Sequence, residues 1–380
     1  MRKIIAHLFT LVFILTGLLV TPNFAQAFVY TSITNANINR LLVERNLLDD
    51  DKKVYDCQFM TMTCSLYDSS KDTPTVQSTN PYASTLKKYL SKNNMSYTYS
   101  SSYRWVAFLK HEGTASLSTR TFYLIDLKND KAYKKSEKIT FWDAVTEIPT
   151  KFAFSPDETK FVYIDDYAGP MMLHVVDLTN QKSFASGLQN NPIIKDEAYN
   201  VGTFTVDNKN IYFTAHGAQA YDWKVYKYNF TDKTLVSIAN NASYVDKLRV
   251  LGQNLVFQEV DSGTKVPAVY NLNTGKIAYF DKFIPDKTPL PGDRTEMLFG
   301  KMHGVLINPK NILPETERKL VVWMHGGPPR QAAFGYHPYA SYATYDWALD
   351  ELVKHGVSVL KIDYKGSQNY GRYYNDAIKY

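Results

Sequence analysis

The sequence is poor in the features that most readily mark a function. It holds two cysteines in 380 residues. That is too few for a disulfide framework and, without neighbouring histidines, too few for a tetrahedral zinc site. None of the eight histidines stands at metal-ligand spacing, so no metal and no cofactor is expected. Lys and Arg are scattered and never interleave with stacking aromatics, which argues against a nucleic-acid partner. Beyond the N-terminus no apolar stretch approaches the ~20 residues of a spanning helix. Nowhere is there a Gly-x-Ser-x-Gly, the sharp turn that presents a hydrolase serine.

What is present begins at the N-terminus. Arg2 and Lys3 head a 13-residue apolar stretch, Leu8 to Val20, and Ala25-Gln-Ala27 sets small residues where a signal peptidase cuts. Residues 1–27 therefore read as a secretory signal peptide, with an apolar part shorter than a membrane anchor needs. The chain is expected to be exported, to the periplasm, the medium or the cell surface, with no stable span once the signal is cleaved. The remainder carries 41 basic and 37 acidic residues, a net charge of +4. An oxidising compartment favours a bond between Cys57 and Cys64, across six intervening residues.

Hydrophobic residues make up 44% and charged residues 21%, and tyrosine is abundant at 29 residues, a mix that suits pleated strands. Residues 28–100 read as an irregular leader, with helix-like apolar spacing over Asn37–Leu48 and a short helix near Thr85–Leu90. From Tyr103 a scheme recurs. Each copy is a hairpin followed by a strand closing on Asp/Asn-Leu or its equivalent, then a polar turn: Lys128–Lys131, Thr179–Lys182, Thr231–Thr234 and Asn273–Lys276. Leu127, Leu178, Asn229 and Leu272 mark the phase, at steps of 51, 51 and 43 residues. That spacing fits four-stranded propeller blades; on its own it also fits unrelated hairpins of a sandwich. Phe154-Ser-Pro-Asp157 supplies a turn in which Pro fixes φ and Asp bonds its own backbone. Four copies are too few for a seven-bladed ring. The ring is smaller, partly irregular, or draws blades from residues 28–100.

Pro285, Pro289 and Pro291 mark a boundary. Thr295–Ile307 then reads as a hairpin, and Leu320–Met324 as a strand covered on both faces of a parallel sheet. Ser341–His355 reads as a helix with Trp347, Ala348, Leu352 and Val353 on one side and Gly356 at its C-cap. Val357–Ile362 reads as a second buried strand. Strand, helix and strand within ~45 residues form the crossover of an open α/β sheet.

Two motifs at the ends of these strands carry a resemblance. His325-Gly-Gly-Pro328 and Asp363-Tyr-Lys-Gly-Ser-Gln-Asn-Tyr-Gly371 resemble the opening of the peptidase domain of the prolyl oligopeptidase family, in its acylaminoacyl-peptidase and dipeptidyl-peptidase branches. That family reads His-Gly-Gly-Pro, then Tyr-Arg-Gly-Ser-x-Gly-Tyr-Gly. Lys365 stands where Arg is usual and loses the planar fork. Asn369 stands where Gly is usual, and Asn tolerates a positive φ. The strand repeat resembles propeller blades of the same family. The resemblance implies a multidomain chain: signal peptide 1–27, leader 28–100, an all-β β-propeller over 101–290, and over 291–380 the start of an α/β-hydrolase domain, a parallel sheet with helices that is incomplete.

It also implies a site. His325, Gly326, Gly327 and Pro328 would form an oxyanion loop, with the backbone of Gly326 and Gly327 giving one donor to a tetrahedral intermediate. A Gly-Gly after a strand, taken alone, serves equally as a turn needed for folding. Tyr364, Lys365, Gly366, Ser367, Tyr370 and Gly371 would shape the turn beside it. In this fold the triad runs Ser, Asp, His, so His325 precedes any nucleophile and is expected to orient the loop, not to act as base. Ser367 lacks the second Gly of a nucleophile elbow. The expected function is the N-terminal portion of an exported serine peptidase acting on peptides, with its Ser-Asp-His beyond Tyr380 and these 380 residues inert alone. The alternative is a non-catalytic exported β-propeller scaffold with a remnant hydrolase segment.

Overall fold

The computed structural model of the chain describes residues 30–36, 40–46, 53–68, 70, 80–89, 94–114, 117–139, 152–165, 172–180, 200–216, 221, 223–239, 244–261, 264–285, 288–311, 313–326, 330–337, 340–367, 369–370, 374 and 377. The signal peptide read at 1–27 lies outside the described residues, as do Gly327, Pro328 and Gly371.

Residues 30–66 form an antiparallel meander of β1 (Tyr30–Ala36), β2 (Arg40–Asn46), β3 (Lys53–Gln58) and β4 (Thr63–Leu66). The segment read as a leader that could contribute strands holds these four, and β2 lies where helix-like spacing pointed to a helix. Leu41 and Val43 are fully buried against Val256, Val266 and Val269 of a distant meander. That burial outweighs the local spacing, since propensity is a weak prior against tertiary packing. Cys57 and Cys64 are bonded across the β3–β4 turn. Closing so short a loop stabilises by roughly 2–3 kcal/mol, so reduction should lower the urea midpoint of the protein by a matching amount.

A helix, α1 (Ala83–Lys87), precedes the second meander, β5 (Asn94–Tyr99), β6 (Trp105–Thr114), β7 (Leu117–Asp126) and β8 (Lys131–Ile139). The third has β9 (Phe152–Phe154), β10 (Lys160–Asp165) and β11 (Met172–Asp177). The fourth has β12 (Asn200–Val206), β13 (Asn210–His216), β14 (Lys224–Asn229) and β15 (Leu235–Ala239). The fifth has β16 (Tyr244–Leu251), β17 (Asn254–Asp261), β18 (Thr264–Asn271) and β19 (Ile277–Tyr279). β1 joins β18 in parallel, so the first and fifth meanders share one sheet.

The repeat has a physical cause. Asp126, Asp177, Asn229 and Asn271 each end a third strand, and each Oδ1 accepts the backbone N–H two residues on, at 3.1, 2.9, 2.8 and 3.0 Å. The residue that follows each, Leu127, Leu178, Phe230 or Leu272, returns its N–H to the carbonyl before the second strand. The phase residue of the fourth meander is thus Phe230, one beyond the Asn229 that spacing suggested. Side-chain capping of this kind stops the strand and turns the chain.

Apolar faces of successive meanders pack on one another. Trp105, Phe122 and Leu124 meet Phe161, Tyr163 and Leu178. Val162, Ile164 and Leu173 meet Phe204, Ile211 and Phe213. Tyr212 and Val225 meet Leu248, Leu255 and Phe257. The other face of the second meander, with Val106, Phe108 and Ile125, packs against Leu86 of α1. The result is a propeller-like all-β region.

The chain then builds a mixed sheet from β20 (Asp293–Phe299), β21 (Met302–Asn308), β22 (Lys319–Met324) and β23 (Val357–Asp363), with α2 (Ala340–Lys354) between the last two. Strand order is β20-β21-β23-β22; β22 and β23 run parallel, and β21 is antiparallel to β23. Gly292 leads in with φ +74, and a Cβ there would lie 2.5 Å from the Asn308 carbonyl oxygen. Two expectations need correction. β22 is covered on one face only: Val321 and Trp323 pack inward, while Leu320, Val322 and Met324 are exposed. The buried stripe of α2 is Ala343, Asp346, Leu349, Asp350 and Val353, and Leu352 faces out. Two of those positions are acids because cations from the sheet meet them there: Lys361 Nζ lies 2.8 Å from Asp346 Oδ1, and Arg294 2.5 Å from Asp350 Oδ1.

Candidate functional site

Parallel pairing brings the C-terminal ends of β22 and β23 side by side, Met324 against Ile362. The next residues, His325 and Asp363, therefore emerge together. His325 Nε2 lies 3.0 Å from Asp363 Oδ1 and 3.0 Å from Ser367 Oγ. All three side chains are buried.

Asp363 gathers the surroundings. Oδ1 also accepts the Ala332 N–H at 2.7 Å, and Oδ2 accepts the hydroxyls of Tyr221 and Tyr370 at 2.7 and 2.5 Å. Its backbone carbonyl accepts the Tyr374 hydroxyl at 2.6 Å. Burial, reinforced by the nearby carboxylate, holds the phenols of Tyr221 and Tyr370 well above their ordinary range and pushes Tyr374 up to about 12. They stay protonated and keep donating. A buried carboxylate stabilised by this many donors is a fixed point.

Ser, His and Asp are thus in contact, but not as a triad. A triad base takes the serine proton at one ring nitrogen and is held by the carboxylate at the other. Here Nε2 serves both partners, and among the described residues the buried Nδ1 has no partner. The arrangement anchors His325 at the end of β22 to the turn after β23. Tyr364 adds to it: its hydroxyl donates to the His325 carbonyl at 3.1 Å, and its ring stacks on the imidazole at 4.8 Å. Gly326, exposed beyond this anchor, has its carbonyl held by the Tyr342 hydroxyl at 2.6 Å.

Of the residues read from sequence, His325, Tyr364, Ser367 and Tyr370 are brought together. Gly366 is buried with φ +108, and its N–H bonds the Tyr374 carbonyl. Asn369 takes φ +70, and its side chain donates to Gln331 Oε1 at 2.9 Å. Lys365 points to solvent. Sequence reasoning quoted Asp363 within its motif but gave it no role, and it missed Tyr221 and His216 altogether. Tyr221 lies in the β13–β14 connection of the propeller-like region, and His216 ends β13. The ring of His216 approaches the Asn369 carbonyl at 2.6 Å. Both tie the fourth meander to the turn after β23. Among the described residues no group of three or more His, Cys, Asp or Glu side chains is gathered as for a metal.

Behind the loop, the His337 N–H donates to Asp346 Oδ2 at 2.7 Å. Burial, with Lys361 close by, pushes the His337 imidazole down to about 3. Unfolded, such a group titrates near 6.5. Below about 6.5 the unfolded chain therefore binds a proton that the folded chain refuses, and stability falls as pH drops toward 3. This group alone should remove on the order of 3 kcal/mol between pH 7 and pH 4. Urea midpoints across that range should fall less steeply in His337→Gln.

With this geometry the fold can be compared with solved structures. A puromycin-hydrolysing peptidase from Mycobacterium tuberculosis matches 93% of this chain and 54% of its own length, at 13% identity and TM-score 0.54. An acylaminoacyl peptidase matches 94% and 68%, at 13% identity and TM-score 0.53. A putative dipeptidyl aminopeptidase IV from Bacteroides ovatus matches 92% and 50%, at 14% identity and TM-score 0.51. These are peptidases of the prolyl oligopeptidase family, and the chain shares their fold. It spans about half the length of the first of them. No family model matches the sequence, and no curated protein matches it.

Proposed function

We propose that the chain is the front part of an exported serine peptidase of the prolyl oligopeptidase type. In this reading residues 291–380 begin an α/β-hydrolase domain, and the loop at His325–Pro328 is its oxyanion loop. The observation that carries it is the parallel β22–β23 pair, whose adjacent ends hold His325 on Asp363, in a chain that also carries a propeller-like all-β region. An oxyanion donor works only if it is fixed before charge develops. The network under His325 fixes the loop from below and leaves Gly326 facing outward.

The attacking serine and its base lie in polypeptide outside these residues, and the 380-residue chain is inert. The substrates are peptides, admitted past the propeller-like region. Export rests on the Ala25-Gln-Ala27 pattern behind its apolar stretch. The test is to extend the chain by what its gene encodes after Tyr380, in each frame, and to assay aminoacyl and acyl-peptide anilides. One frame should supply a Gly-x-Ser-x-Gly and confer hydrolysis. No such frame, or no hydrolysis from one, would leave the second reading, a binding scaffold. A groove of about 570 Å3 favours that reading: it is lined by Phe59, Met60, Leu251, Gln253, Asn254 and Asn271, on turns of the shared first and fifth sheet.

A further inference from the structure

Two phenols clamp the start of the loop after β22. The Tyr364 hydroxyl donates to the His325 carbonyl at 3.1 Å, and the Tyr342 hydroxyl donates to the Gly326 carbonyl at 2.6 Å. Tyr342 stands in the first turn of α2, and its ring is itself held. The Arg330 guanidinium lies over its face at 4.6 Å, and His337 packs against it at 5.0 Å. Trp323, on the inward face of β22, meets it edge-on at 6.1 Å. The hydroxyl therefore reaches the loop from a fixed place. Glycine at 326 is not explained by the fold. Its φ lies outside the left-handed region, and among the described residues an added Cβ would meet only the Tyr342 hydroxyl oxygen, at an ordinary 3.5 Å. Neither backbone strain nor internal packing asks for a residue without a side chain there. What the glycine leaves open is a close approach to the backbone from outside, where Gly326 is exposed.

We infer that Tyr342 is a positioning residue, which sets the direction of the donor in this loop. The inference rests on the oxyanion reading of the loop and names the group that aims it. A trans peptide carries its N–H opposite its C=O. With the Gly326 carbonyl turned to α2, the N–H of the same peptide, that of Gly327, is turned away from α2. A glycine on either side of that peptide resists its rotation only weakly, so the hydroxyl decides the plane. Donation into the carbonyl also polarises the peptide and strengthens its N–H as a donor. A donor to a developing oxyanion is effective when its direction is set beforehand. Tyr342 does this without touching the reacting atoms.

The test uses the chain extended through the reading frame that supplies Gly-x-Ser-x-Gly, with Tyr342→Phe and Tyr345→Phe. Tyr345 is 56% exposed on the same helix and serves as the control. Tyr342→Phe removes one hydrogen bond to an exposed carbonyl, so its urea midpoint should stay at the wild-type value. On an acyl-peptide anilide its kcat should fall about tenfold or more with KM unchanged, because the donor acts on the transition state and not on the bound substrate. Tyr345→Phe should match the wild type. Wild-type kcat in Tyr342→Phe, or an equal fall in Tyr345→Phe, would overturn the inference and leave the peptidase reading standing. A raised KM at unchanged kcat would overturn it too, since the hydroxyl would then be binding substrate. An extended wild-type chain that hydrolyses nothing would remove the peptidase reading and the inference together.

Discussion

Asp346→Asn should destabilise the C-terminal sheet by about 3–5 kcal/mol, because it strands a buried ammonium. Lys361 is fully buried on the middle strand β23, with its Nζ 2.8 Å from Asp346 Oδ1 and 3.0 Å from the Gly335 carbonyl. The neutral amide leaves that charge without its directly bonded counter-ion. The converse is the sharper part of the expectation. A hydrophobic replacement of a buried pair often costs little, because both desolvation penalties disappear with it. Lys361→Met in the Asp346→Asn background should therefore recover most of the lost stability. Urea midpoints for the two single variants and the double variant check this, read at the tryptophans Trp323 and Trp347, which flank the pair. Equal losses in all three would mean that packing volume matters there and charge does not.

Asp363→Ala should cost a similar ~3–5 kcal/mol by a different route. It removes at once the acceptor shared by the Tyr221 and Tyr370 hydroxyls, the Ala332 N–H and the His325 ring. Tyr221→Phe removes a single one of these bonds and should cost about 1–2 kcal/mol. The two variants also separate by place. Asp363→Ala should raise amide hydrogen exchange throughout 325–332, whereas Tyr221→Phe should loosen chiefly the tie between the β13–β14 connection and β23. If Asp363→Ala left exchange at Gly326 unchanged, the loop would be held by something other than this carboxylate.

These two residues show where sequence reading stopped. Strand positions from Trp105 onward were legible because each repeat ends on Asp or Asn whose side chain caps the turn, a local device with a local signature. The parallel strands around 320 and 360 were legible because they are short apolar runs separated by a helical segment. β2 was not. Its helix-like spacing reflects nothing local, and its burial comes from residues more than two hundred positions away. The stripe of α2 was misjudged because it was drawn through apolar residues alone, whereas Lys361 and Arg294 bring Asp346 and Asp350 into the buried face. Lys361 and Asp363 were given no role, although a charge inside or ending an apolar strand is a pattern that calls for buried partners. Tyr221 gave no signal at all, since only the fold brings it to Asp363.

Ser367, His325 and Asp363 meet here, and in the proposed reading they anchor a loop while the reactive serine lies elsewhere. A fluorophosphonate probe on the purified chain, with the adduct mapped by mass spectrometry, tests that reading most directly. Labelling should not rise above that of the heat-denatured control at any serine. A stoichiometric adduct on Ser367 that is lost in His325→Gln would contradict the account, because a serine reached only through the Nε2 it shares with Asp363 has no general base to activate it.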